Sequence, residues 1–328
     1  NATDTDGIET LDSVFVRVND GEWYALSPQV SFLSFVPSQP EQSGAQDAAL
    51  YTGSDARKAL KNIGGLRVGE NNRIYIKARD IAGVYSQTDS SALFYLRRKE
   101  SDLLVVDDHS ESVVDEVYMP VLSAVYPVYD YLDISSTRPV FWDPTFRLLL
   151  GLYDKVFWYS DGTQLSALGL QLTLEVAATP LQQYLNDGGK LLVTTKFPTS
   201  FTTPSTGNRS AIFGFSPMDS LSTSTGQARI VTGAKITPLI AGLDTLVASA
   251  FITGADPFYA KDPTRNLYNA QLTAVGGWTG PATIGGSSVF NNGQTNQVFV
   301  SVELHKLNGR PEALRNFLDT VLNDTFGW

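Results

Sequence analysis

The sequence predicts a multidomain chain: a β-rich amino-terminal domain, then an α/β domain of three layers on a doubly wound parallel sheet. Three observations carry this. The first hundred residues read as short runs of alternating apolar and polar side chains. From Asp102 onward, short apolar runs alternate with stretches of helical period. The 328 residues are too many for one ordinary core and suit two domains.

Taken in order, "VFVRVNDGEWYAL" alternates on both sides of Asn19-Asp20-Gly21, residue types that accept the positive φ of a tight turn, so it predicts a hairpin. The stretch 41–65 begins rich in Gly, Ser and Gln. It ends in "SDARKALKNIGG", where a capping Ser54 and a closing glycine pair predict one short helix inserted near 41–65. "NRIYIKARDIAGVYS" alternates again, with Ile74, Ile76 and Ala78 on one face. The polar segment "RRKES" at 97–101 marks the boundary, giving domains 1–98 and 99–328.

In the second domain "DLLVVDD" predicts a buried strand and "SESVVDEVYMPVLSAVY" a helix, with Val113, Val117, Val121 and Val125 at helical spacing and Ser110 as its cap. Strand "YDYLDI", a helix around "DPTFRLLLGL", strand "KVFWYSD", helix "LEVAATPLQQYLNDGG" and strand "KLLVTTK" follow. Such alternation with short connections predicts a parallel sheet with right-handed crossovers. Residues 198–297, rich in Thr, Ser, Gly and Pro, read as a β-rich insertion. "QVFVSVELHKL" then returns as a buried strand and "RPEALRNFLDTVLNDTF" as a closing helix with Pro311 in its first turn.

Composition narrows the function classes. Hydrophobic residues make up 42% and charged residues 18%, as in globular proteins. Lys and Arg number 24 against 34 Asp and Glu, a net charge of −10, which argues against nucleic acid or an anionic membrane as partner. The chain has no cysteine, so no disulfide, thiolate metal site or cysteine nucleophile can form. No apolar stretch approaches the roughly 20 residues of a membrane span. Abundant Thr, Ser, Asn and Gly with few lysines resembles exported bacterial proteins, which implies a periplasmic, outer-membrane-associated or extracellular location.

Two resemblances add to this reading. "DTDGIETLDSVFVRVNDGEW" with "GLRVGENNRIYIKARDIAGVYS" resembles the fibronectin-III/immunoglobulin-like sandwich modules of exported bacterial proteins, with Leu66, Gly69, Ala78, Asp80 and Gly83 on the late strand. Asn72 stands where many such modules carry a corner tyrosine. The order "DLLVVDD", "YDKVFWYSDG", "LQQYLNDGGKLLVTT", "VFVSVELHKL" resembles the class I glutamine-amidotransferase-like superfamily, which implies a flavodoxin-like fold. Its working enzymes place a cysteine at a strand-to-helix elbow, with His and Glu after a later strand. Here Thr194, Thr195 and Lys196 stand at the elbow.

In a parallel α/β sheet ligands bind beyond the carboxyl ends of the strands. That edge makes Asp107, Asp108, His109 and Asp161 candidate ligand-binding residues. "LLVVDDH" also resembles the start of response-regulator receiver domains, which would make Asp107, Asp108 and Asp161 a Mg²⁺ or phosphoryl site. Asp commonly ends strands, so the plainer expectation is the polar end of a buried strand. Without a thiolate, a surviving hydrolase would need Thr195 as nucleophile, His305 as base and Glu303 to orient it, the last two sharing one face of a strand. "DTDG" offers a weak Ca²⁺ option. Among the aromatics, "PVFWDP" with Trp142 is the candidate exposed group for a glycan or an envelope protein. These observations favour a non-catalytic binding or scaffolding protein without a resident cofactor.

Overall fold

The computed structural model describes residues 10–136, 138–139, 141, 143–162, 164–165, 171–197, 209–222, 224, 226–290 and 293–326. "DTDG", Trp142 and the first part of the 198–297 segment lie outside them. Strand residues outnumber helical ones, 39% against 22%, so the chain is a β-rich multidomain protein. It divides into two compact units, Asn1–Glu100 with Asp143–Leu152, and Ser101–Trp142 with Tyr153–Trp328.

The first unit is antiparallel. Strands β1 (Leu11–Val18), β2 (Tyr24–Leu26), β3 (Leu33–Pro37), β4 (Gly44–Thr52), β5 (Ile63–Val68) and β6 (Ile74–Asp80) form two principal sheets. One runs β2-β1-β6 and ends on the short strand Asp89–Ser90; in the other, β3, β5 and Arg57–Lys58 all pair with β4. Alternation sends Val16, Val18, Ala48, Leu50, Ile63 and Leu66 into one core. The helix expected near 41–65 is absent. Ala56 takes a left-handed φ of 53°, the chain turns back on β4, and Leu60 is fully exposed. The apolar positions 56, 59, 60 and 63 of "ARKALKNI" stand at helical spacing, but strand pairing with β4 overrides that local pattern.

The hairpin after β1 forms as expected, with Val16 opposite Tyr24 and Asn19 at φ 48°. Its corner is pinned by Asn72, which is fully buried. The Asn72 carboxamide oxygen accepts from Asn19 Nδ2 and Arg67 N, both at 2.8 Å, and its nitrogen donates to the Arg67 and Glu70 carbonyls. Gly65 (φ 92°) passes so close to β1 that a Cβ there would lie 2.4 Å from the Val18 carbonyl oxygen.

The second unit is organised on one nine-stranded sheet. Its strands are β7 (Leu103–Asp108), β8 (Asp130–Asp133), β9 (Lys155–Ser160), β10 (Lys190–Thr195), β11 (Lys235–Pro238), β12 (Leu246–Val247), β13 (Asn266–Ala270), β14 (Thr283–Ser288) and β15 (Gln297–Val300). The order across it is β8-β7-β9-β10-β15-β14-β13-β11-β12. The first five are parallel and the last four join antiparallel, so the sheet is mixed. Much of the 198–297 segment therefore completes the main sheet, and three strands from it, Gln227–Ile230, Ile252–Ala255 and Thr273–Val275, make a small sheet of their own. β7 and β9 are buried at every position, which is why they read as continuous apolar runs without alternation.

The helices are α1 (Asp115–Val125), α2 (Pro144–Leu150), α3 (Ala178–Asn186) and α4 (Pro311–Asp319), with shorter turns between; α2 belongs to the first unit and the other three to the second. α1 faces the core with Val114, Tyr118 and Leu122, one residue out of step with the expected valine stripe, and Val113 is exposed. Ser110 does not cap it; a 3₁₀ turn at Ser112–Val114 leads in. "LEVAATPLQQYL" splits into a single turn, Thr173–Val176, and α3. Pro180 lacks the N–H that would have carried one continuous helix across that junction. "QVFVSVELHKL" is strand only to Val300 and turns 3₁₀ over Leu304–Leu307. Among the described residues no helix is long and apolar enough to cross a membrane.

Candidate functional site

Parallel pairing aligns the carboxyl ends of β7, β9, β10 and β15 on one edge. The order in which strands are added reverses at β7: β8 lies on one side of it and β9 on the other. Such a switch point leaves a crevice beyond the strand ends. Asp107, Asp108 and His109 leave β7 there, and Ser160 and Asp161 leave β9.

The three carboxylates of the expected Mg²⁺ site do not converge. Neighbours in a strand point to opposite faces, so Asp107 and Asp108 diverge. Asp107 accepts from the His109 amide at 2.9 Å and from the Tyr131 hydroxyl. Asp108 is 1% exposed and accepts from Ser160 Oγ at 2.9 Å and Thr173 Oγ1 at 3.1 Å, with an Arg138 guanidinium nitrogen 3.4 Å away. Burial pushes its pKa up to about 7 despite these partners. Asp161 takes both the amide, at 3.0 Å, and the hydroxyl of Ser110. Each carboxylate thus ties a different pair of loops. The plainer expectation, polar ends of buried strands, describes Asp107 and Asp108 here.

A different group does converge. His109, Glu303 and His305 each bring one nitrogen or carboxylate oxygen within 4.8 Å of the others. They meet although β7 and β15 are not neighbours in the sheet. His109 and Glu303 are each 5% exposed, and their Nε2 and Oε1 are 3.6 Å apart. Lys306 Nζ holds the other oxygen of Glu303 at 2.6 Å. The rings of His109 and His305 meet edge to face with centroids 5.2 Å apart. Glu303 and His305 are not on one strand face as expected; the turn after Val302 brings them together.

Protonation follows from these contacts. Burial opposes the charge of Glu303, but His109 and Lys306 outweigh it and hold the pKa at about 2. His305 is pulled down to about 4, chiefly by burial, so its ring is neutral at pH 7. Burial also opposes charging His109, but Glu303, Asp161 and Glu111 together lift its pKa above the ordinary value. The neutral His109 ring accepts the Glu111 amide on Nδ1 at 3.1 Å. Its proton is therefore on Nε2 and aimed at Glu303.

That tautomer decides what the group can do. A metal ion would need the Nε2 lone pair of His109, which the Glu111 amide denies it, and would meet the Lys306 ammonium on Glu303. The donors stand at metal-like separations, with the Glu111 amide and the Lys306 ammonium opposing an ion there. Glu303 and Lys306, ion-paired at 2.6 Å, form a charge cluster with the His109 ring against it, and His305 beside it is neutral at pH 7.

Both elbow hydroxyls, including that of Thr195, the candidate nucleophile, are bonded within the protein. Thr194 Oγ1 donates to the Val302 carbonyl at 2.7 Å and accepts the Leu304 amide at 3.0 Å, stapling the end of β10 to the turn that carries Glu303 and His305. Thr195 is fully buried, and its hydroxyl donates to the Lys196 carbonyl at 3.3 Å. His305 hydrogen-bonds through its backbone amide, to the Tyr118 hydroxyl at 3.0 Å. Thr195 and His305 are not joined by a hydrogen bond.

Of the expected exposed group "PVFWDP", Phe141 is 5% exposed and packs near Trp158, itself fully buried, with centroids 6.2 Å apart, while Trp142 lies outside the described residues. Sequence reasoning missed Lys306, Arg138, Thr173 and Tyr131. For Lys306 a signal existed, its i,i+3 spacing from Glu303; Arg138 and Thr173 reach Asp108 from loops that no pattern ties to it.

No protein-family model matches the chain, and no curated protein is detectably similar to it.

Proposed function

We propose that this is an exported cell-envelope protein whose second unit is a flavodoxin-like domain of the amidotransferase-like type, acting by recognition of a glycan or a protein and not by glutamine hydrolysis. Its first unit is then the Fn3/Ig-like module that presents it. Numbering the parallel strands by their order in the chain gives 2-1-3-4-5, the order of flavodoxin-like sheets, which supports the fold. The observation that carries the functional reading is the use of the elbow position. Thr194 and Thr195 stand where the nucleophile of a working amidotransferase would be, and both hydroxyls are spent on backbone carbonyls inside the protein. A hydroxyl there needs a base within reach to attack an acyl carbon, and none is bonded to it.

A second reading rests on one fact: His305 is neutral at pH 7 beside an ionised Glu303, as a general base requires. One experiment separates the two. The full chain is assayed on glutamine and on panels of amides and esters, and in parallel on a glycan array. The recognition reading expects saturable binding of one glycan or protein class and no turnover. Turnover that falls in both Thr195→Ala and His305→Ala would replace it with the hydrolase.

A further inference from the structure

The outward face of the β2-β1-β6 sheet in the first unit carries a stack of cations and rings. Phe15 and Arg17 project from β1, Tyr75 and Lys77 from β6, and the register sets Arg17 opposite Tyr75 and Phe15 opposite Lys77. Trp23, from the hairpin, and Tyr85, just beyond β6, complete the face. The Arg17 guanidinium lies 4.8 Å from the ring centres of both Trp23 and Tyr75. The Lys77 ammonium lies 4.5 Å from both Trp23 and Tyr85.

Charge balance distinguishes the members of this stack. Arg79, the next cation along β6, is paired with Asp12. Arg17 and Lys77 have no carboxylate partner among the described residues, and the Arg17 Nε is buried without a hydrogen-bond acceptor. Two uncompensated cations are therefore held in fixed positions by aromatic neighbours, on a protein of net charge −10. The rings have already restricted both long side chains, so an incoming anion has little further side-chain freedom to remove. Tyr85 remains 48% exposed beside Lys77. The complement of this face is a ligand that carries carboxylates for the two cations and a flat C–H surface for the exposed ring.

We propose that this face binds a carboxylate-bearing polysaccharide, with Arg17 and Lys77 pairing its uronate groups and Tyr85 lying against a sugar ring. An extended acidic peptide matches the charges but brings no flat C–H face to Tyr85. The site is on a different unit from the edge of the nine-stranded sheet and stands or falls independently of the reading given for that edge.

Calorimetric titration of the full chain with polygalacturonate, with its methyl ester and with polyglutamate tests it. Polygalacturonate binds, the uncharged ester does not, polyglutamate binds more weakly, and raising salt to about 0.5 M weakens the binding. Arg17→Gln and Lys77→Gln each weaken it about tenfold, Lys77→Arg retains it, and Arg57→Gln, a substitution of an exposed cation outside the stack, changes it less than about twofold. Equal binding of the ester, stronger binding of polyglutamate, or full binding by Arg17→Gln and Lys77→Gln would each overturn the proposal, as would no binding of polygalacturonate. Unchanged near-ultraviolet circular dichroism in each variant separates lost contacts from lost folding.

Discussion

The two units solve the same problem, closing a sheet at its turn end, with opposite chemistry. In the first, Asn19, Asn72 and Gly65 tie hairpin, strand and loop together through neutral carboxamides, backbone groups and one close glycine approach. In the second, the loops after β7 and β15 are joined through His109, Glu303 and Lys306, with His305 packed against them. The bonds that close the first corner are between neutral groups, with the Asp20–Arg67 ion pair on its exposed side. The second is built of groups whose charge depends on the medium. Neutral hydrogen bonds fix a shape across the pH range, whereas buried ionisable groups make shape depend on protonation.

The largest effect expected from breaking this contrast is at Gly65. Gly65→Ala forces a Cβ onto the Val18 carbonyl oxygen at a left-handed φ, and should cost about 3 kcal/mol in urea unfolding. The loss should be the same at pH 5 and pH 8, and a marked pH dependence would contradict the neutral character of that corner. Thr194→Val comes next. It leaves the Val302 carbonyl and the Leu304 amide buried without their partner and should cost about 2 kcal/mol, read by amide exchange in the second unit.

The titration of His305 sharpens the comparison. Its folded pKa of about 4 lies below the ordinary 6.5, so its contribution to stability is complete above pH 6.5 and is lost as pH falls toward 4. Discounted for its remaining contact with water, this amounts to about 1 kcal/mol. His305→Asn should remove that slope, and proton NMR should give the His305 ring a midpoint near 4. A midpoint at the ordinary value would show that the ring is not held as described. The smallest effect is at Asp108, whose raised pKa has the opposite sign: stability falls as pH rises from 3.8 to about 7. Asp108→Asn should flatten that interval while changing stability at pH 7 by only about 0.5 kcal/mol, because it removes the burial penalty on the charge but also gives up the bonds from Ser160 and Thr173 and the Arg138 pairing.

Much of the second unit was legible because its strands are buried on both faces. "LLVVDD", "KVFWYS" and "KLLVTT" could be recognised from apolarity alone, and they are β7, β9 and β10 almost to the residue. What a linear pattern does not encode is which strands become neighbours, so the antiparallel extension by β14, β13, β11 and β12 read only as a β-rich insertion. The segment 54–65 was misread because its charges and glycines suit a capped helix and a tight turn equally well, and the decision fell to pairing with β4. At the site, every residue of the His109–Glu303–His305 group was singled out, but His109 was assigned to the acidic site and the other two to a hydrolase. Their meeting depends on a turn, Leu304–Leu307, that the apolar run concealed. The acidic pair misled for a simpler reason: adjacency in the chain means divergence in a strand.

The staple at Thr194 has a consequence for how the molecule assembles. It joins two points 108 positions apart, and Glu303 and His305 have no fixed place until that distant pairing is made. Contacts this remote form slowly, because a long loop must close before any bond rewards it. The charge cluster is therefore among the last features to appear during refolding, and an intermediate with β7, β9 and β10 already paired would still hold His109 without its carboxylate.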